Sequence, residues 1–400
     1  MPSRNRLLLL FALLAVAVLL VVAVLGGGSI PSAPSSEGPA RSWGSFPPGL
    51  AAYDAADGYD VWLMLDGSTW TYAHGDWSNI TTDAGVPVHM EGNSRLVYDA
   101  QDRYLLLYGG ETGFPIARTL ADTWTFQAGR WTNLTGSVRD APPPMVLGMM
   151  AYDSEDKVVV LFGGSLSNES AYSPFGPATN TTWTYTAGAW TNATVPGPPP
   201  LGGSFGPSLD AAMMDDPADG YVLYYLELGY LRSPFPVMWT YAGGVWTNRT
   251  VAFSPAPALF LFDVFAYDST SRTVVVLSSC ASTPGFSCGD RPATVEFSGG
   301  SWRFVGLAPT FRESNGFVDD PWDGGVMFVG GCCWADFSGL SLFWQNVWVY
   351  AHGTWTESDP WGGGAPSWTQ NDGSWLALSI AVATAVSVVS IARKSVLFRR

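Results

Sequence analysis

Five acidic pairs share one spacing: Asp54 with Asp57, Asp99 with Asp102, Asp153 with Asp156, Asp216 with Asp219, and Asp320 with Asp323. Carboxylates so placed can ligate calcium, but that ion wants six to eight oxygens and a denser acidic loop. They can also divide acid and base roles in glycoside hydrolysis, which requires convergence across a cleft. Here the pairs recur along the chain at turns, where an aspartate ordinarily caps its own backbone N–H groups. That reading is preferred, and no catalytic residue is assigned. His74, His89 and His352 are the only histidines. Two of them fall at hairpin tips of separate repeats, a poor arrangement for gathering imidazoles on one metal, so neither a metal site nor a cofactor is expected. Cys280, Cys288, Cys332 and Cys333 allow three disulfide pairings. Cys280–Cys288 closes a short local loop and is favoured, although it leaves a strained vicinal Cys332–Cys333 bridge. The other two pairings staple neighbouring repeats, and a four-thiolate zinc site is a minor alternative.

Six Asn-x-Ser/Thr sequons stand at Asn79, Asn133, Asn168, Asn180, Asn192 and Asn248. They suit glycosylation of an external domain. Asn192 carries a tension: strict strand alternation puts it on the side of Trp190, which is expected to be buried.

The elements that hold these residues come from repetition. Six copies of one hairpin read STWTYAHGDW, DTWTFQAGRW, TTWTYTAGAW, VMWTYAGGVW, ATVEFSGGSW and NVWVYAHGTW. Their second tryptophans, Trp77, Trp131, Trp190, Trp246, Trp302 and Trp355, are 54, 59, 56, 56 and 53 residues apart. A glycine two residues before each marks a tight turn needing positive φ. Upstream, each copy has an apolar strand ending in an acid (AAYD, LVYD, MAYD, AMMD, FAYD, GFVD), then a second strand such as KVVVLFGG. Four short strands per unit, with Trp, Tyr and Gly dense throughout, predict an all-β six-bladed propeller.

On the glycine doublets Gly109-Gly110, Gly163-Gly164 and Gly330-Gly331, and aromatic pairs such as Tyr185 with Trp190, the chain resembles the kelch-repeat family, including the propeller of galactose-oxidase-like proteins. The resemblance covers Ala51 to Trp355. It implies a kelch-like propeller but no copper chemistry, because no residue here matches that enzyme's metal ligands. The doublet is replaced by Met64-Leu65, Leu226-Glu227 and Ser278-Ser279, and Val295 stands where the other copies have their first tryptophan.

The domain reading follows. Residues 1–25, with the apolar run Leu7–Leu25, are a signal peptide or signal-anchor helix. Residues 26–48 are a linker, 49–357 the propeller and 358–374 a Gly/Pro/Ser-rich stalk. Residues 375–392 are expected to be a transmembrane helix, and 393–400 a basic cytoplasmic tail. The propeller is then extracellular, with the membrane as one partner. Only 19 Lys and Arg oppose 34 Asp and Glu, for a net charge of −15, which excludes a nucleic-acid partner. The variable loops between second and third strands carry Tyr172, Phe175, Tyr230, Phe235, Trp334, Phe337 and Trp344. These aromatics are the candidate ligand-binding residues for a protein or carbohydrate at the cell surface. A binding or scaffolding module is preferred to the alternative, an extracellular carbohydrate-active enzyme.

Overall fold

The structure, a computed structural model, describes residues 49–64, 67–85, 94–112, 118–167, 175–199, 211–226, 236–254, 264–278, 293–308, 314–330 and 346–358. The expected terminal helices lie outside these residues. Among the described residues no helix is long and apolar enough to cross a membrane.

Six four-stranded antiparallel sheets are present, each built from one sequence repeat with its strands side by side in chain order. The first strands are Gly49–Asp54, Ser94–Asp99, Met149–Asp153, Ala211–Asp216, Val264–Asp268 and Ser314–Asp320. The second strands are Tyr59–Met64, Tyr104–Gly109, Val158–Phe162, Tyr221–Leu226, Thr273–Ser278 and Gly325–Gly330. The third strands, which carry the first tryptophan of the motif in every blade but the fifth, run Thr69–Ala73, Thr123–Gln127, Thr182–Thr186, Val237–Ala242, Ala293–Ser298 and Asn346–Ala351. The outer strands are Asp76–Asn79, Arg130–Asn133, Ala189–Asn192, Val245–Asn248, Ser301–Leu307 and Thr354–Ser358.

The first strand of each sheet packs beside the first strand of the next, and that of the sixth beside that of the first. Sheets so arranged are blades around an axis, and the domain is a β-propeller. Antiparallel order puts the turns between strands one and two, and between three and four, at one end of the ring. The second-to-third connections and the links between sheets occupy the other end.

Local chemistry explains both turn types. At the hairpin tips Gly75, Gly129, Gly188, Gly244, Gly300 and Gly353 have φ of 72–86°, and the residue before each is also at positive φ, 47–57°. Two consecutive left-handed residues make the two-residue turn that matches strand twist. At the first turn, Asp54 Oδ1 accepts the N–H groups of Ala56 and Asp57 at 3.0 and 3.3 Å. Asp99, Asp153, Asp268 and Asp320 repeat this arrangement. The second acid ties blades together: Asp102 Oδ2 accepts the Ala187 N–H at 2.7 Å, and Asp219 Oδ2 accepts that of Gly299 at 2.8 Å.

The seams between blades are aromatic. Tyr185 and Trp190 are register partners with ring centroids 5.0 Å apart, and Trp190 also meets Tyr108 of the preceding sheet at 5.0 Å. Trp246 meets Phe162 of its preceding sheet at the same distance. Burying a side chain of 150–250 Å² at about 25 cal/mol/Å² contributes roughly 4–6 kcal/mol as an upper bound. A repeated hydrogen bond adds direction to this packing. The indole N–H of Trp131 reaches Thr69 Oγ1, Trp190 reaches Thr123, Trp246 reaches Thr182 and Trp355 reaches Thr294, in each case one sheet back. At the fourth-to-fifth seam that position is Met238, and the buried N–H of Trp302 has no acceptor among the described residues.

Two expectations are corrected, and one short element is added. Asn192 is exposed although Trp190, two residues earlier, is buried. The outer strand ends at Asn192, beyond the covered part of the seam. The long third-repeat segment is not wholly loop: Ser165–Ser167 and Phe175–Ala178 pair with each other, and with Met145–Val146, in a three-stranded sheet. The body also holds one helical turn, Thr81–Ala84.

Candidate functional site

The axis of the ring holds a cavity of about 320 Å³ lined by residues from all six first strands. Leu50, Arg95, Met149, Ala212, Val264 and Gly316 all line it, each four residues before the turn aspartate of its own blade. The repeats thus act as internal controls for one another. Five of these positions carry no charge, and the second blade alone supplies a guanidinium.

The Arg95 guanidinium is tied to its own strand at one terminal nitrogen. Nη1 donates to the Ser94 carbonyl at 2.9 Å, while Nη2 lies 4.0 Å from the Met149 thioether, a weak acceptor. Among the described residues the sole ion pair is Arg303 with Glu296, so no carboxylate there neutralises Arg95. Burial without a nearby acid lowers its pKa to about 10, and it remains a cation at neutral pH. The rest of the lining is apolar, with Phe265 and Phe317 from the fifth and sixth blades.

At the turn end, the residue before each turn aspartate is Tyr53, Tyr98, Tyr152, Asp215, Tyr267 or Asp319. The two acids interrupt an otherwise phenolic set. Asp319 accepts the Ser269 N–H at 3.1 Å, and Asp215 is hydrogen-bonded to Ser154. Burial nevertheless pushes each carboxyl up to about 7. Asp60 is a further buried carboxyl. In the other blades its register position holds Leu105, Val159, Val222, Val274 or Val326. Asp60 is fully buried, both of its oxygens lack partners among the described residues, and burial beside Asp320, Asp323 and Asp319 drives its pKa well above the usual carboxylate range.

The turn aspartates bind backbone, and no group of three or more metal-ligating side chains is assembled among the described residues. Tyr172, Tyr230, Phe235, Trp334, Phe337 and Trp344 lie outside the described residues, as do Cys280, Cys288, Cys332, Cys333, His89 and Asn168. Phe175 opens a strand of the additional sheet. Asn79, Asn133, Asn180, Asn192 and Asn248 are exposed. Four of these sequons also have a structural use. Asn192 Oδ1 accepts the Thr194 N–H at 3.0 Å, and Thr194 Oγ1 closes on the N–H and carbonyl of Thr182. The same clasp recurs at Asn79, Asn133 and Asn248.

Arg95 and Asp60 were not singled out by motif spacing, and Asp215 and Asp319 entered only as the strand-ending acids of AMMD and GFVD, one residue before the aspartates that occupy the turns. The signal was present: stacking the six repeats shows a charge at each position where most other copies are apolar or phenolic.

No family model matches the chain, and no curated protein sequence is detectably similar to it. Solved structures resemble it in fold. The SapL1 lectin in complex with α-methyl fucoside has a TM-score of 0.44 at 11% identity, over 78% of this chain and 95% of that one. A GH74 enzyme of Niastella koreensis gives 0.44 at 14%, over 78% and 45%. The β-propeller domain of the Trilobed protease from Pyrococcus furiosus gives 0.38 at 10%, over 79% and 83%. At such likeness no ligand or reaction transfers to this chain.

Proposed function

We propose that the protein is a membrane-tethered propeller of six kelch-like blades that binds a protein or carbohydrate ligand outside the cell, through the loop-bearing end of its ring. The observation that supports this reading is the unequal use of the two ends. One end is spent on six short aspartate turns and six two-residue hairpins. The other is the end from which the connections that differ in length and sequence leave, and where first-strand residues line the axial cavity. The apolar runs at 7–25 and 375–392 supply the tether, and the exposed sequons suit an extracellular position. Screening the full-length protein against glycans and cell-envelope extracts is expected to capture a ligand without release of sugar. Turnover without added metal would overturn the binding reading.

The second reading, a carbohydrate-active enzyme, is favoured by Asp215 and Asp319. Carboxyls held near 7 are suited to proton transfer at neutral pH. Under this reading, Asp215→Asn abolishes sugar release; under the first there is no release to abolish.

A further inference from the structure

We propose that the axial cavity binds a small organic monoanion, a carboxylate on an apolar body, with Arg95 as its anchor. The proposal deepens the binding reading and rests on the same end of the ring.

Three observations carry it. The first is the position of the charge: one guanidinium replaces Leu50, Met149, Ala212, Val264 or Gly316 of the other blades. A fold that needed only packing would be served by any of those residues. Arg95 is partly buried, and a charge even partly withdrawn from water is costly unless something offsets it. The second is the unused donor capacity. A guanidinium has five N–H donors in a planar fork that matches a carboxylate. Within the described residues one nitrogen is committed to the Ser94 carbonyl, and another meets only a thioether. The third is the surrounding wall. Leu50, Met149, Met150, Phe265 and Phe317 offer apolar surface, which a bare inorganic anion leaves unused. The volume of about 320 Å³ falls at the small end of the range for ligand pockets. The net charge of −15 repels polyanions at long range. These constraints together select a compact monoanion with an apolar face.

The experiment is calorimetric titration of the full-length protein with phenylacetate, its neutral isostere phenylacetamide, and sulfate. Phenylacetate is expected to bind at least about tenfold more tightly than the amide, as a charge-assisted hydrogen bond implies. Arg95→Met is expected to remove that preference while the amide still binds, and Arg95→Lys to retain part of it. Equal binding of acid and amide, no binding of either, or a preference that survives Arg95→Met would overturn the proposal. Sulfate binding as tightly as phenylacetate would overturn its apolar half. Should Arg95→Met fail to fold, the acid-against-amide comparison on the unaltered protein decides alone. An envelope ligand captured equally by Arg95→Met, with no acid preference in the titration, would leave the loop reading standing and remove this one.

Discussion

Trp190 and Trp302 occupy the same position in the repeat but meet different partners. The N–H of Trp190 bonds Thr123 across its seam, whereas that of Trp302 faces a seam whose equivalent residue is Met238. Replacing each by Phe keeps an aromatic ring and removes the N–H. Trp190→Phe should cost about 1 kcal/mol more than Trp302→Phe, because the first loses a made bond and leaves Thr123 with a weaker environment. Equilibrium urea unfolding of the two variants measures the difference, and equal losses would refute the role given to the threonine hydroxyls. The tryptophans themselves were legible from sequence, since a residue recurring in every repeat serves packing more readily than a single site. The threonines were not, because their partners lie about sixty residues away on the next blade. Arg95 and Asp60 were visible only as exceptions to a repeat, and an exception is read after the rule is known.

The outer-strand end shows how one element carries two meanings. The sequence Asn192-Ala193-Thr194 reads as a glycan acceptor, yet its two polar side chains also clasp the third strand. The Asn192 carboxamide accepts through oxygen, which leaves its nitrogen on the exposed side of the turn. Asn192→Asp keeps an accepting oxygen and removes the glycan acceptor, so stability should stay within about 0.5 kcal/mol while any glycan-dependent mobility shift disappears. Asn192→Ala removes the clasp as well and should cost about 1 kcal/mol. Thermal unfolding and gel mobility of both variants check this. A similar loss in Asp and Ala would mean that the clasp contributes nothing. The four-strand unit, its turns and its positive-φ glycines were all legible, because their signals are local. The strand pair Ser165–Ser167 and Phe175–Ala178 was read as loop: its partner Met145–Val146 precedes the blade, and neither strand has the repeat's period.

Across the whole molecule, buried carboxyls set the pH response. Burial raises Asp54, Asp99 and Asp216 to about 6 and Asp215 and Asp319 to about 7, and it holds Asp60 well above the usual carboxylate range. In the unfolded chain these groups titrate near 4, so the folded state holds more protons between those values. The stability they permit is fully present below about pH 4, and it falls as pH rises through 6 and 7. Each group contributes at most about 1.4 kcal/mol per pH unit within its window. The melting temperature is therefore expected to fall from pH 5 to pH 8. Asp60→Asn should flatten that slope and raise the melting temperature at pH 8, since the sixth-to-first seam no longer buries an ionisable group. A melting temperature that rises over this interval would refute the assignment.

Asp60 marks that seam chemically, but topology does not mark it at all. Among the described residues each blade takes its four strands in chain order from one repeat, and none borrows a strand from another repeat to close the circle. Among the described residues the first and last blades meet through side chains: Trp62, Met64, Tyr72 and Trp77 against Val318, Met327, Val329 and Val347. The other five junctions have in addition a peptide link, which constrains the chain without shaping the contact. A ring of this construction has no structural beginning. Cutting any inter-blade link and joining the present ends would give a different linear order of the same six units, with the same faces meeting. The order in which the blades leave the ribosome is thus a property of the gene's reading, and the assembled circle retains no record of it.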